Sequence, residues 1–191
     1  MKTNKELRAL ARSQLKGDWL TAVLVVLVYG VIFSASSAVV IGSLILGGPL
    51  TLGLVCFFLK KARGESAALD NLFDGFKSFV PGLKLFLLQF VYVFLWSLLF
   101  FIPGIIKAFS YSMSFYILHD NPNISAAEAI TQSRQMMNGN KFKLFTLYLS
   151  FIGWCFLCLL TFGIGYLWLI PYMNLSIANF YEDLKQRPGQ S

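Results

Sequence analysis

The charged residues of this chain are gathered into a few short segments, and between them run apolar stretches long enough to cross a bilayer as helices. Only 13% of the 191 residues are charged, while 57% are apolar or aromatic; a soluble domain carries about 25% charged residues. This excludes a disordered chain, a disulfide scaffold and a water-soluble globule, and it points to an integral membrane protein. A helix needs roughly 20 apolar residues to cross the hydrocarbon core. The pattern predicts an all-α, polytopic membrane protein, a single domain with spans at 19–41, 44–60, 84–102, 104–119, 143–162 and 164–181.

Three of the connections are short and uncharged: Gly47-Gly48-Pro49, Ile102-Pro103-Gly104 and Gly163-Ile164-Gly165. Gly and Pro punctuate helices through permissive φ and a lost donor. They predict turns that fold six transmembrane helices into three hairpins, over 19–60, 84–119 and 143–181. The remaining connections hold the charge: Lys2, Lys5, Arg8, Arg12 and Lys16 before the first span, Lys60, Lys61, Arg63, Lys77 and Lys84 after the second, and Arg134, Lys141 and Lys143 after the fourth. Lys185 and Arg187 lie in a short C-terminal tail over 182–191. Short loops rich in Lys and Arg stay in the cytoplasm, so the expected arrangement has both termini inside the cytoplasmic membrane. The net charge of +7 is explained by this bias, not by nucleic-acid binding. A signal peptide over 1–38 is the competing reading of the N-terminus, but the basic region is long and the apolar run continues beyond it.

Each hairpin is preceded by a cytoplasmic segment that reads as an amphipathic helix, over 4–16, 69–80 and 126–138. In the first, Thr3 and Glu6 have capping-box spacing, Leu7, Leu10, Ala11 and Leu15 share a face, and Arg8, Arg12 and Lys16 form a basic stripe. In the second, Leu69, Leu72, Phe73, Phe76 and Val80 share a face. In the third, Ser125 and Glu128 match a capping box and Gly139 is a C-terminal stop. Lys-Leu-Phe recurs at 84–86 and 143–145, as in three copies of one unit, an interfacial helix followed by a hairpin; chance punctuation is the alternative.

IPGIIKAFSYSMSFYILHDNP from Ile102, EAITQSRQMMNGNK from Glu128, LSFIGW from Leu149 and IGYLWLIPY from Ile164 resemble a bacterial membrane family known as a domain of unknown function, family nine-seven-five. FYEDL from Phe180 and ARSQLKGDW from Ala11 also fit, although Asp18 stands where that pattern more often has Asn. The resemblance implies a multi-span protein of the bacterial plasma membrane and carries no activity over. More distantly, the plan is similar to the membrane region attached to some glycerophosphodiester phosphodiesterases, whose catalytic domain has no counterpart in these residues.

Lys107 is the one charge placed away from the cytoplasmic side, and an ionisable residue within a span is a functional candidate by default. Ser110, Tyr111 and Ser114 follow at i+3, i+4 and i+7; with Gln89 they would line a polar cleft for an anionic head group or substrate. Snorkelling of Lys107 to the outer interface is the bland alternative. Gly30, Ser34, Ala38 and Gly42 repeat at every fourth position, a spacing that lets helices approach, either inside the monomer or against a second copy or another membrane protein. Cys155 and Cys158 have CxxC spacing inside an apolar span, and His119, beside Asp120, reads as a solvated helix end. No zinc-protease, nucleophile-elbow or phosphate-loop motif is present. The expectation is a non-enzymatic protein with no catalytic residues, cofactor or metal, which meets anionic lipid head groups through Arg8, Arg12 and Lys16 and seats its interfacial helices in the acyl boundary. The alternative is a small transporter or channel with a path near Lys107 and Gln89.

Overall fold

A computed structural model of the chain describes residues 2–37, 40–99 and 101–186. These form ten α-helices and one 3-10 helix, with no strand among the described residues. α1 (Asn4–Leu15) begins at the expected capping box: Thr3 Oγ1 accepts from the Glu6 amide at 3.2 Å, and Glu6 accepts from the Thr3 amide at 2.6 Å. It ends before Gly17, whose φ of +96° only glycine adopts without strain. The chain then bends by 99° between Asn4–Leu15 and Trp19–Ala35, so α1 lies across the direction of α2 (Trp19–Ser37).

α3 (Val40–Ala62) runs without interruption through Gly47-Gly48-Pro49. The turn expected there does not exist, and the physical reason is packing. A Cβ on Gly48 would strike the backbone of Gly82, and one on Gly47 would press into the Phe86 ring. These glycines let the start of α4 (Phe79–Leu99) approach the α3 backbone. The amphipathic segment before α4 is a 3-10 helix, Leu69–Ser78. Its period of three puts Leu72 and Gly75 in the buried interface with α3, while Phe73 and Val80, expected on the same face, are exposed.

Ile102-Pro103-Gly104, expected as a turn, lies in the first turn of α5 (Phe101–Tyr111), where proline costs no helical hydrogen bond and Gly104 admits Ser97 of α4; the expected fourth span is two helices, α5 and α6 (Ser114–Asp120). The Ser133 hydroxyl, from α7 (Ala126–Met136), repairs the break: it donates to the Ser110 carbonyl at 2.8 Å and accepts from the Met113 amide at 3.2 Å. Such satisfaction is required where backbone leaves a helix away from water. The expected fifth span is likewise divided into α8 (Lys141–Leu149) and α9 (Ile152–Leu160). The turn at Gly163 is present, with φ of +88°. α10 (Tyr166–Lys185) follows and extends past 181, so Glu182 and Asp183 stand on a helix and not in a tail.

α10 is the central helix and packs on α1, α2, α3, α8 and α9. Its polar residues are satisfied within the protein: Ser176 donates to the Tyr172 carbonyl of its own helix at 2.8 Å, and Asn179 donates to Gln14 Oε1 of α1 at 2.7 Å. Three stretches are long and apolar enough to cross a membrane: Gly42–Ala62, Leu69–Leu98 and Lys141–Leu160. The bent pair of α1 and α2 would make a fourth.

Candidate membrane and lipid site

Exposed apolar side chains run along α2, α4, α8 and α9 and continue onto the turn between α9 and α10. Leu98, in the last turn of α4, and Ile102, in the first turn of α5, are exposed, and Leu160, Phe162 and Ile164 crown the turn between α9 and α10; Phe162 is 99% exposed. At the opposite end of α10 the exposed surface is charged and cross-linked. Arg63 donates to Asp120 at 2.8 and 2.9 Å and to Glu182 at 2.9 Å. Lys185 and Tyr181 donate to Asp120 Oδ2 at 2.6 and 2.9 Å, and His119 Nδ1 lies 3.5 Å from Oδ1. The Asp120 side chain is only 7% exposed. Burial works to raise its pKa, but the hydrogen bonds from His119, Lys185, Arg63 and Tyr181 outweigh it and hold the carboxyl well below the usual carboxylate range. His119 is therefore part of an ion-pair network and not a solvated helix end. The signal in the sequence is Arg63 just past one span, with the carboxylates of Asp120 and Glu182 at the ends of others.

The residues expected to form a polar cleft are only partly brought together. Gln89 reaches the Tyr111 carbonyl at 3.3 Å, and the Tyr92 and Tyr111 rings lie 6.2 Å apart. Lys107 is elsewhere: its amine sits over the face of Trp96, 4.3 Å from the ring centroid. Ser110 donates to the Ile106 carbonyl of its own helix at 2.8 Å. The break after Tyr111 moves Ser114 off the helical face on which i+7 spacing would have put it; its hydroxyl is fully buried. A cleft of about 430 Å3 does open beside Gln89, with Thr51 and Ser97, but its walls are mainly Phe and Val and Lys107 does not line it.

Of the small-residue repeat, Gly30 and Ser34 face open space on α2. A Cβ on Gly30 would meet nothing within 4 Å, and Ser34 is exposed, its hydroxyl donating to the Gly30 carbonyl at 2.6 Å. Gly42 is partly buried and Ala38 lies outside the described residues. The stripe is divided between helices, with Gly30 and Ser34 on α2 and Gly42 on α3. Close approach occurs instead through Gly48, Gly53, Gly75 and Gly82.

The three basic residues of α1 differ sharply. The apolar face of this helix is not in the acyl boundary: Leu7, Ala11 and Leu15 are fully buried against the protein, because α10 and α3 offer it a dry surface. Arg8 donates to the Ser150 carbonyl at 2.9 Å and lies over the Phe151 ring, sealing the break between α8 and α9. Lys16 is exposed at the end of the helix. Arg12 is exposed too, but its guanidinium lies over the Tyr172 ring at 5.7 Å. There it lines an apolar cleft of about 360 Å3 together with Trp19, Trp154, Leu157, Trp168 and, from the turn before α10, Thr161 and Gly165. Among the described residues no group of three or more His, Cys, Asp and Glu could hold a metal ion.

The fold is thus that of an all-helical protein with three to four bilayer-length apolar helices, consistent with a membrane location. The chain matches the family described as Protein of unknown function (DUF975), over residues 1–110 and again over 98–188, and it belongs to that family. Searches of curated proteins and of solved structures found no match.

Proposed function

We propose that this chain is a non-enzymatic multi-pass protein of the bacterial cytoplasmic membrane, with six spans in three hairpins and both termini inside, which associates with anionic lipid and organises or supports transport there. The observation that carries this reading is the separation of surfaces along α10. Exposed apolar residues crown its Tyr166 end, and the network of Arg63, Asp120, Glu182 and Lys185 closes the other. Its 20 residues rise about 30 Å, which matches the roughly 30 Å thickness of a hydrocarbon core. The basic excess at the charged end suits the inner leaflet, where each well-placed Lys or Arg contributes about 1 kcal/mol of attraction to anionic lipid.

Single cysteines at Ile164 and Glu65, in a background with Cys56, Cys155 and Cys158 replaced by Ser, test the reading. Both chosen positions are exposed. In intact cells an impermeant maleimide is expected to label Ile164→Cys and to reach Glu65→Cys only after permeabilisation. Equal labelling of the two, or the reverse order, would overturn the topology.

A further inference from the structure

We propose that the cleft under Arg12 is a binding site for one anionic phospholipid, with the phosphate at the guanidinium and the first part of an acyl chain between Trp154 and Trp168. The site deepens the membrane reading above and rests on it. Several observations point to this occupant. The lining is largely apolar, and Arg12 provides its single charge. Among the described residues no carboxylate pairs with Arg12, whereas Arg63, Lys61 and Lys185 all have acidic partners. A cation facing lipid without a counter-ion is unfavourable, and a lipid phosphate supplies that counter-ion with bidentate geometry.

The aromatic ring makes the same case. Trp19, Trp154 and Trp168 gather around Arg12 from three different helices; indoles concentrate where hydrocarbon meets head groups. The volume of about 360 Å3 lies within the range of ligand pockets, roughly 300–1,000 Å3. The Tyr172 ring, which also lines the cleft, lies 5.7 Å from the guanidinium and helps to hold it there. Arg8, on the same stripe, is already engaged by the Ser150 carbonyl, which leaves Arg12 as the residue that selects for charge.

The test uses the full chain purified from membranes, delipidated, and incubated with phosphatidylglycerol or phosphatidylcholine before native mass spectrometry. Wild type is expected to retain one phosphatidylglycerol and at least fivefold less phosphatidylcholine. Arg12→Gln is expected to abolish that preference and Leu157→Trp, which fills the cleft, to reduce retention of both lipids. Lys5→Gln, an exposed charge on the same helix, should leave both unchanged. Equal retention of the two lipids by wild type, or an unaltered preference in Arg12→Gln, would overturn the site. So would displacement of the bound lipid by millimolar glycerol phosphate, which would assign the cleft to a soluble phosphate ester. Alkaline carbonate extraction separates this failure from failure of the membrane reading. Release of the chain into the soluble fraction sinks both, whereas a chain that stays in the membrane but shows no Arg12 dependence sinks the lipid site alone.

Discussion

Gly75 of the 3-10 helix lies backbone against backbone on Gly53 of α3. A Cβ on Gly75 would fall on the Gly53 amide nitrogen and the Pro49 carbonyl, and a Cβ on Gly53 would fall on the Leu72 carbonyl. No flexible side chain stands in the way that could yield. Gly53→Ala and Gly75→Ala are therefore expected to destabilise the fold by about 1–3 kcal/mol or more, read as a lowered unfolding temperature in detergent. Gly30→Ala, in open space on α2, should be neutral or stabilising by up to about 1 kcal/mol, since alanine is the better helix former.

Ser133 joins α7 to the break between α5 and α6 through two hydrogen bonds, to the Ser110 carbonyl and from the Met113 amide. Ser133→Ala would leave both backbone groups buried without a partner, at roughly 1–3 kcal/mol in total. Thr131, two residues earlier, is exposed and bonds only within its own helix; Thr131→Ala should change stability by less than about 0.5 kcal/mol. Thermal unfolding of the two variants side by side checks the contrast.

The Asp120 carboxyl is held below its ordinary pKa in the folded chain. Its contribution to stability is therefore complete above the unfolded value, about 3.9. It declines as pH falls through that value toward the depressed folded one. The unfolding temperature should drop between pH 5 and pH 3, and Asp120→Asn should remove part of that slope. At pH 7 the same variant leaves Arg63 and Lys185 without their shared carboxylate, and a loss of about 1–3 kcal/mol is expected. An unchanged acid slope in Asp120→Asn would show that other carboxylates govern it.

Lys107 and Trp96 form a cation–π pair, so Lys107→Ala is expected to alter tryptophan emission and to weaken the α4–α5 contact by about 0.5–2 kcal/mol. It is not expected to alter anion flux in proteoliposomes, because its amine faces an aromatic ring and not the cleft beside Gln89. A flux that depends on Lys107 would restore the transporter reading.

The membrane class and the capped starts of α1 and α7 were legible in the sequence, because both rest on local rules. Hydropathy acts run by run, and a cap needs only a residue and its neighbour three positions on, as Thr3–Glu6 and Ser125–Glu128 show. The same rules misjudged Gly47-Gly48-Pro49, since glycine that permits a turn and glycine that admits another backbone look alike in one dimension. They also misjudged residues 69–80: a 3.6-residue period chose Phe76 where the 3-10 period puts Gly75 in the interface.

The sequence alone determined that this chain is helical, apolar and sorted by charge, for those properties follow from which residues adjoin one another. It also marked Arg8, Arg12 and Lys16 as one basic stripe. Only the tertiary structure decided that they have three different surroundings: a carbonyl for Arg8, solvent for Lys16, and an aromatic-walled cleft for Arg12. The reason is physical: a side chain's chemistry depends on what lies within a few ångströms of it, and here most of those neighbours, such as Ser150, Trp154 and Trp168, are more than a hundred residues away along the chain.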